Sequence, residues 1–233
     1  MVPALDNRNH EGVPNVPTSV NMVLKEMMGR ECRKPTGTFG KLVARKMNRS
    51  HKAVTRWGLK FLDIGEGDRL LDMGCGGGHN LKNLVRMSPY AKVLGVDYSR
   101  DMVSLSRKLN RTLVRSGRLE VLEASVSRLP FRENVFDAVT AVETHFFWPD
   151  LINDLREVRR VMKPGSMVLI ITEGYRHPDF EERNSEWERL SDFTMDTPEE
   201  FRGYLKSAGF ERVESVEEQD RNWMAAWGRK PLK

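Results

Sequence analysis

The hydrophobic and polar positions follow two alternating patterns from Asp68 to the C-terminus. Short apolar runs predict buried strands, whereas stretches in which apolar residues recur every three or four positions predict amphipathic helices. The predicted strands are residues 69–73, 92–96, 119–122, 136–142, 167–172, 210–216 and 222–228. The predicted helices are residues 79–87, 100–114, 150–162 and 197–209. This alternation predicts an α/β fold with a mostly parallel sheet, helices on both faces and a terminal antiparallel pair.

The N-terminal region has a helical pattern of its own. Apolar residues recur at helical spacing between Val20 and Met28, and two shorter helices are predicted near 39–47 and 51–62. We therefore expect a helical cap or lid at 18–63 in front of a main domain at 64–233. Residues 1–17 are rich in Asn, Pro and charge, which is typical of a flexible arm. Residues 173–197 show no clear period, and no regular element is predicted for them.

The basic character of the chain is concentrated in its N-terminal third. The formal net charge is +5, but the segment from Lys25 to Lys60 alone carries +9 and the remainder carries −4. Such a segment indicates attraction to an anionic partner, which would be a nucleic acid, a membrane surface or an acidic small molecule. The alternative is an ordinary solvated helix face.

The cysteine count and the hydropathy pattern exclude several protein classes. Cys32 and Cys75 are the only cysteines, so the chain has neither a disulfide framework nor a four-cysteine zinc site, and we expect no metal. The apolar runs are too short to span a membrane. The first residues do not resemble a secretory signal, which favours a cytoplasmic location.

A glycine-rich segment follows the first predicted strand directly. It reads Gly74-Cys75-Gly76-Gly77-Gly78, and a loop of this kind lets a strand turn into a helix while a ligand approaches the backbone. The dinucleotide fingerprint requires a third glycine where this chain has His79, which disfavours a nicotinamide oxidoreductase. Asp72 is not part of that fingerprint, and its carboxylate is placed to order the loop and reach a cationic group of a ligand.

Asp97 ends the second predicted strand, nineteen residues after Gly78. An acid at this place can accept hydrogen bonds from both hydroxyls of a ribose. The alternative is a helix N-cap shared with Ser99.

Four motifs, taken in order, resemble the signature of class I S-adenosylmethionine (SAM)-dependent methyltransferases, and more narrowly the small-molecule branch called type 11. They are Leu71-Asp72-Met73-Gly74-Cys75-Gly76-Gly77-Gly78, Gly95-Val96-Asp97-Tyr98-Ser99, Leu129-Pro130-Phe131 with Phe136-Asp137, and Leu155 and Val158 leading into Val161-Met162-Lys163-Pro164-Gly165. The resemblance covers residues 69–172, and it implies a Rossmann-like seven-stranded sheet whose last strand is antiparallel. SAM is then expected across the carboxyl ends of the strands.

The resemblance also implies which residues bind SAM. The methionine and sulfonium end would lie against Asp72 and the loop backbone at Gly74, Cys75, Gly76 and Gly78. The ribose would be held by Asp97 in the Asp97-Tyr98-Ser99 turn, and adenine would pack beside Tyr98 and Met102. The family commonly has an acid for the adenine amine where this chain has Ser125, so either the Ser125 hydroxyl or the Val126 backbone N–H is expected there.

The methyl acceptor is expected beside the end of the fourth strand. Glu143 is a candidate to steer the sulfonium or bind a cationic acceptor, and His145 is a candidate base. A structural role is the alternative for His145, which would then only form a hydrogen bond. The aromatic residues that follow it would then only pack in the core. The candidate acceptor-binding residues are Phe39, His51, His145, Phe147, Trp148 and Tyr175.

These features favour a methyltransferase that transfers a methyl group from SAM to a small molecule by in-line displacement. An RNA or protein methyltransferase that uses the basic segment is the first alternative, although no RNA-binding module is recognisable. A non-catalytic SAM-binding regulator is the second. Monomer and homodimer remain open.

Overall fold

The computed structural model of the protein describes Gly37 and residues 50–233. The predicted arm at 1–17 and most of the predicted cap, including Phe39, lie outside these residues.

Seven strands form one sheet in the part of the chain that the structure describes. They are β1 (Arg69–Met73), β2 (Lys92–Asp97), β3 (Leu119–Glu123), β4 (Phe136–Val142), β5 (Met162–Thr172), β6 (Glu211–Glu218) and β7 (Trp223–Arg229). Their order is β3-β2-β1-β4-β5-β7-β6. The first five strands run parallel, and β7 is antiparallel to both β5 and β6. The predicted Rossmann-like fold with an antiparallel last strand is thus confirmed.

Seven α-helices are found among the described residues. They are α1 (Lys52–Gly58), α2 (His79–Met87), α3 (Arg100–Leu109), α4 (Arg111–Arg115), α5 (Leu151–Val161), α6 (Glu181–Ser191) and α7 (Pro198–Ser207). Short 3-10 turns occur at Leu59–Phe61, His145–Phe147, Pro178–Phe180 and Gln219–Arg221. Helix α7 begins with a capping box in which Thr197 and Glu200 satisfy each other's backbone N–H groups.

The structure differs most from the prediction in three places. The helix predicted at 100–114 is interrupted at Asn110, whose Nδ2 donates to the carbonyls of Ser106 at 2.9 Å and Gly78 at 3.0 Å. Strand β5 begins at Met162, five residues earlier than predicted. Helix α6 lies in the segment for which no element was predicted, because Asn184 is its only fully buried residue and no apolar stripe marks it.

The side chains of the strands alternate between two cores, one on each face of the sheet. Leu71 and Met73 of β1 face the core built with α5 and α7, whereas Leu70 faces the core built with α2. Helix α1 packs on this second core, where Gly58 lies against Ile171 of β5 and Trp57 contacts the Trp223 ring at 5.9 Å. The described end of the predicted cap is therefore anchored on the sheet.

The turn from β1 into α2 depends on Gly78. Its φ is +78°, a conformation that costs an L-residue roughly 1–2 kcal/mol. A Cβ at this position would lie 2.2 Å from Ser106 Oγ and 2.5 Å from Asn110 Nδ2. The missing side chain therefore lets α2 approach α3 closely.

We expect Gly78→Ala to destabilise the protein by about 2–4 kcal/mol, because it adds backbone strain to overpacking. Urea unfolding with a single probe of tertiary structure measures the change. Gly203→Ala is the matched control, since Gly203 lies inside α7 and a Cβ there would meet nothing within 4 Å. That substitution should stabilise the protein by about 0.5–1 kcal/mol. Equal stability of the two variants would contradict the role assigned to Gly78.

Candidate functional site

The glycine loop lies at the carboxyl end of β1 and is tied to β2. The Cys75 N–H donates to the Val96 carbonyl at 2.9 Å, and the Gly76 N–H donates to Asp97 Oδ2 at 2.8 Å. Gly76 has a φ of +49°, and only the Gly74 carbonyl, 4.0 Å away, would be near a Cβ there. The loop backbone therefore presents an open side on which a ligand can lie.

A cavity of about 330 Å³ opens beside this loop at the carboxyl edge of the sheet. Its lining comes from the ends of β1, β2 and β4, from the residues after β3 and from the described end of the predicted cap. The lining residues are His51, Thr55, Asp72, Met73, Gly74, Cys75, Gly76, Gly77, His79, Asn80, Val96, Asp97, Tyr98, Met102, Ala124, Ser125, Val126, Val142, Glu143, Thr144, Phe147, Trp148 and Pro149. A cleft at this edge is the usual ligand site of an open α/β sheet.

Most of the residues predicted for the site lie in this cavity. The lining includes Asp72, Gly74, Cys75, Gly76, Asp97, Tyr98, Met102, Ser125, Val126, Glu143, His51, Phe147 and Trp148. Gly78, Ser99, His145 and Tyr175 do not line it. Gly78 faces α3, and the backbone N–H of Ser99 donates to Asp97 Oδ1 at 2.9 Å. The structure therefore gives these two residues supporting contacts next to the cavity.

Asp97 connects the two turns that border the cavity. One carboxylate oxygen accepts from Gly76 and the other from Ser99, so each oxygen keeps a lone pair for a further donor. Burial raises the pKa of this carboxyl, while the two backbone donors oppose the rise. The side chain thus holds the loop and remains able to accept hydrogen bonds from a ligand.

Asp72 lies on the floor of the cavity and is only 2% exposed. Its Oδ1 accepts from Thr140 Oγ1 at 2.7 Å and from Asn80 Nδ2 at 2.8 Å. Burial raises the pKa of the carboxyl to about 6, although both hydrogen bonds lower it. Sequence reasoning missed Thr140 and Asn80; a threonine inside an apolar strand was the available signal.

Glu143 follows β4 directly and has a left-handed backbone, with φ of +56°. Its carboxylate accepts from the backbone N–H of Glu173, the residue that follows β5. Burial raises the pKa of Glu143 to about 8, and the nearby charge of Glu173 adds to the rise. The acids that directly follow the neighbouring parallel strands β4 and β5 therefore lie next to each other, with Glu143 in the cavity lining and Glu173 outside it, and only Glu143 was predicted.

His51 lines the cavity from the described end of the cap, and its Nε2 is 3.7 Å from Glu173 Oε2. Burial lowers the pKa of this imidazole to about 4, so the ring is neutral at pH 7. The geometry places an uncharged imidazole beside a carboxylate on the wall of the cavity. His51 was predicted to contact the acceptor, and its pairing with Glu173 was missed because the two residues are distant in sequence.

His145 has a different environment from the one expected of a base. It is 5% exposed, and its ring lies edge-on to Phe201 of α7 with 4.9 Å between centroids. Burial lowers its pKa to about 3. Its Nδ1 is buried without a hydrogen-bond partner among the described residues. The 3-10 turn at His145–Phe147 thus directs this ring into the core while Phe147 reaches the cavity.

The two ends of the cavity differ in character. Near β2 and β3 the lining is largely apolar, with buried Met102, half-buried Ala124 and Val126, and Tyr98, which is 44% exposed. At the other end Phe147 and Trp148 form an aromatic wall. Tyr175 is buried away from the cavity, where its backbone N–H donates to Asn222 Oδ1 at 2.8 Å.

No group of three or more His, Cys, Asp or Glu side chains is arranged to hold a metal ion within the described residues. None of the helices described here combines the length and the apolar character needed to cross a membrane.

The comparisons with known proteins agree with this geometry. The profile of a family described as "Methyltransferase domain" matches residues 71–170. The chain is 32% identical over 135 residues to cycloartenol-C-24-methyltransferase 1 of Oryza sativa subsp. japonica, a match that covers 56% of this chain and 38% of the relative. It is 31% identical over 122 residues to demethylmenaquinone methyltransferase of Oceanobacillus iheyensis, covering 52% of this chain and 51% of the relative. The chain therefore spans about half or less of these relatives.

A solved structure shows the same fold. The SAM-dependent methyltransferase from Aquifex aeolicus superposes with a TM-score of 0.67 at 23% identity, covering 80% of this chain and 96% of that chain. The matched profile spans the glycine loop, Asp97 and the end of β4, which are the elements that build the cavity. The comparisons therefore support the class I SAM-dependent methyltransferase family for this chain, with SAM as the cofactor.

Proposed function

We propose that this protein transfers a methyl group from SAM to a small-molecule acceptor bound in the cavity beside β4. The observation that carries the proposal is the cavity itself, which brings Asp72, Asp97 and Glu143 together beside an open glycine loop. Three carboxylates desolvated in one cavity favour a cationic ligand, because a bound positive charge offsets the free-energy cost of their burial.

The residues fit SAM from one end of the cavity to the other. Asp97 would accept hydrogen bonds from the ribose, and Asp72, which lines the cavity, would face the amino-acid end. Adenine would lie between Met102 and the residues after β3, where Ser125 and the Val126 N–H offer polar contacts. SAM supplies an activated methyl group on sulfur, and Glu143 would balance the sulfonium charge.

The acceptor would lie against the aromatic wall of Phe147 and Trp148. This wall suits an apolar or planar molecule, because rings bury large areas and stack on one another. The two curated relatives are named for cycloartenol and demethylmenaquinone, which are largely apolar. Their names support an apolar small molecule as acceptor. Phe147 and Trp148 would also exclude water from the reacting atoms.

We assign the proton-accepting role to His51 and not to His145. His51 is neutral, lines the cavity and faces Glu173, which would stabilise the imidazolium after proton transfer. Glu173 favours the tautomer with the proton on Nε2, so Nδ1 would take the proton that the acceptor loses. His145 is enclosed by aromatic rings and cannot reach a molecule in the cavity without local rearrangement.

We expect Asp97→Asn to weaken binding of SAM and of S-adenosylhomocysteine by on the order of 10- to 100-fold, because charge-assisted acceptors are replaced by weaker ones. Isothermal titration calorimetry measures both affinities. Glu123→Gln is the matched control, since Glu123 ends β3 directly beside Asp97 but lies outside the cavity and should leave both unchanged. Binding of NAD would refute the assigned site. Affinities for SAM and S-adenosylhomocysteine that are the same with and without Asp97→Asn would also refute it.

The ratio of SAM affinity to S-adenosylhomocysteine affinity should rise as the pH increases. Only SAM carries the sulfonium, and Glu143, with its pKa raised to about 8, is neutral below that pH and anionic above it. We expect the ratio to rise about tenfold between about pH 6.5 and pH 9, as a partly screened ion pair forms. Glu143→Gln should flatten the profile. A ratio independent of pH in the unsubstituted protein would show that Glu143 does not face the sulfonium.

His51→Gln should lower kcat by about 10²- to 10⁴-fold with an acceptor found by screening with labelled SAM, because the proton acceptor is lost. Calorimetry should show unchanged SAM affinity, which separates proton transfer from cofactor binding. His145→Gln is the control and should retain kcat while lowering the unfolding temperature. Loss of kcat in the His145 variant alone would reverse the assignment.

A further inference from the structure

A second groove lies outside the cofactor cavity and shares no lining residue with it. It has a volume of about 530 Å³ and runs between α2 and the junction of α3 with α4. We call it the basic groove; its lining residues are Lys82, Val85, Arg86, Pro89, Leu109, Asn110, Thr112, Leu113 and Arg118. Three of these are cations and none is an acid.

Among the described residues, no acid forms an ion pair with a cation of the basic groove, which are Lys82, Arg86 and Arg118. Arg118 donates from Nη2 to the Val85 carbonyl at 3.3 Å, which fixes its guanidinium at the end of α2. Further exposed cations are Lys92 at the start of β2, Lys108 in α3, and Arg111 and Arg115 in α4. The groove and its neighbouring helices are therefore rich in cations.

Three large apolar side chains are exposed at the rim of the basic groove. Tyr90 is 73% exposed, Leu109 is 42% exposed and Met87 is 40% exposed. Cations in the last turns of α2, α3 and α4 offset the helix dipoles, and that structural role accounts for some of the charge. It does not account for three apolar side chains held in water beside those charges.

We propose that the basic groove and its rim dock onto an anionic lipid bilayer. Cations contact lipid headgroups while Met87, Leu109 and the Tyr90 ring enter the interface between headgroups and acyl chains. Met and Leu favour this partner over a nucleic acid, because aliphatic side chains gain little from a phosphate backbone. The lining of the basic groove shares no residue with that of the cofactor cavity, so docking through the groove would leave the residues of the cavity uncovered.

Co-sedimentation of the full chain with vesicles tests the proposal. We expect binding to phosphatidylglycerol–phosphatidylcholine vesicles, no binding to pure phosphatidylcholine vesicles, and a marked loss of binding in high salt. Removing three charges, in Lys82→Gln/Arg86→Gln/Lys108→Gln, should lower the partition coefficient on the order of 100-fold, at about fivefold per cation. Tyr90→Ser/Leu109→Ser keeps the charge and should lower it on the order of tenfold.

A charge-matched control separates the groove from the overall positive charge and from the basic segment at 25–60. Arg128→Gln/Arg132→Gln/Lys206→Gln removes three exposed cations elsewhere and should change binding little. Equal losses in the two triple variants, binding to polyuridylate in place of vesicles, or no vesicle binding by the unsubstituted protein would each overturn the proposal. Calorimetry with S-adenosylhomocysteine should give the same affinity in every variant, so the outcome is independent of the proposed catalytic function.

Discussion

The tight turn from β1 into α2 is the constraint on which the site depends. It holds because Gly78 has no side chain and lets α2 approach Ser106 of α3, and because Asp97 binds the Gly76 N–H from the neighbouring strand. The parallel register of β1 with β2 and β4 then brings Asp72 beside Thr140 and places Asp97 next to the loop. A change in either contact would shift the loop backbone and the carboxylates together.

This arrangement concentrates buried carboxyl groups at one edge of the sheet. Burial raises the pKa of Asp72, Asp97 and Glu143, so in each case the fold favours the protonated form over the ionised one. A raised carboxyl pKa means that stability declines as pH rises from the unfolded-state value toward the folded-state value. The site is therefore destabilising at neutral pH in the absence of a cation, which is the expected physical character of a site selected for binding.

The fold was predictable because its signals are local. Each of the seven strands has apolar residues, either in a run or, as in β3 and β6, interspersed with charged residues, and the glycine loop marks where the first crossover begins. Helix α6 escaped prediction for the opposite reason: it contacts the rest of the domain through a buried Asn184, whose Nδ2 donates to the Tyr175 carbonyl at 2.8 Å, and not through an apolar stripe. Polar anchoring leaves no periodic signal in the sequence.

The candidate site was predictable only where its residues follow strand ends. Asp97 and Glu143 lie at the ends of parallel strands, so the topology alone places them at the ligand edge. The same reasoning applied to Glu173 would have found it, since it directly follows β5. Histidines are harder to place, because the position of a residue within a 3-10 turn decides whether its ring faces the core or the cavity. His145 and Phe147 lie in one such turn and face opposite ways, whereas His51 reaches the cavity from the start of α1, a helix whose position depends on packing against β5 and β7. Contacts between distant segments thus decide which imidazole can meet an acceptor, and sequence spacing does not encode them.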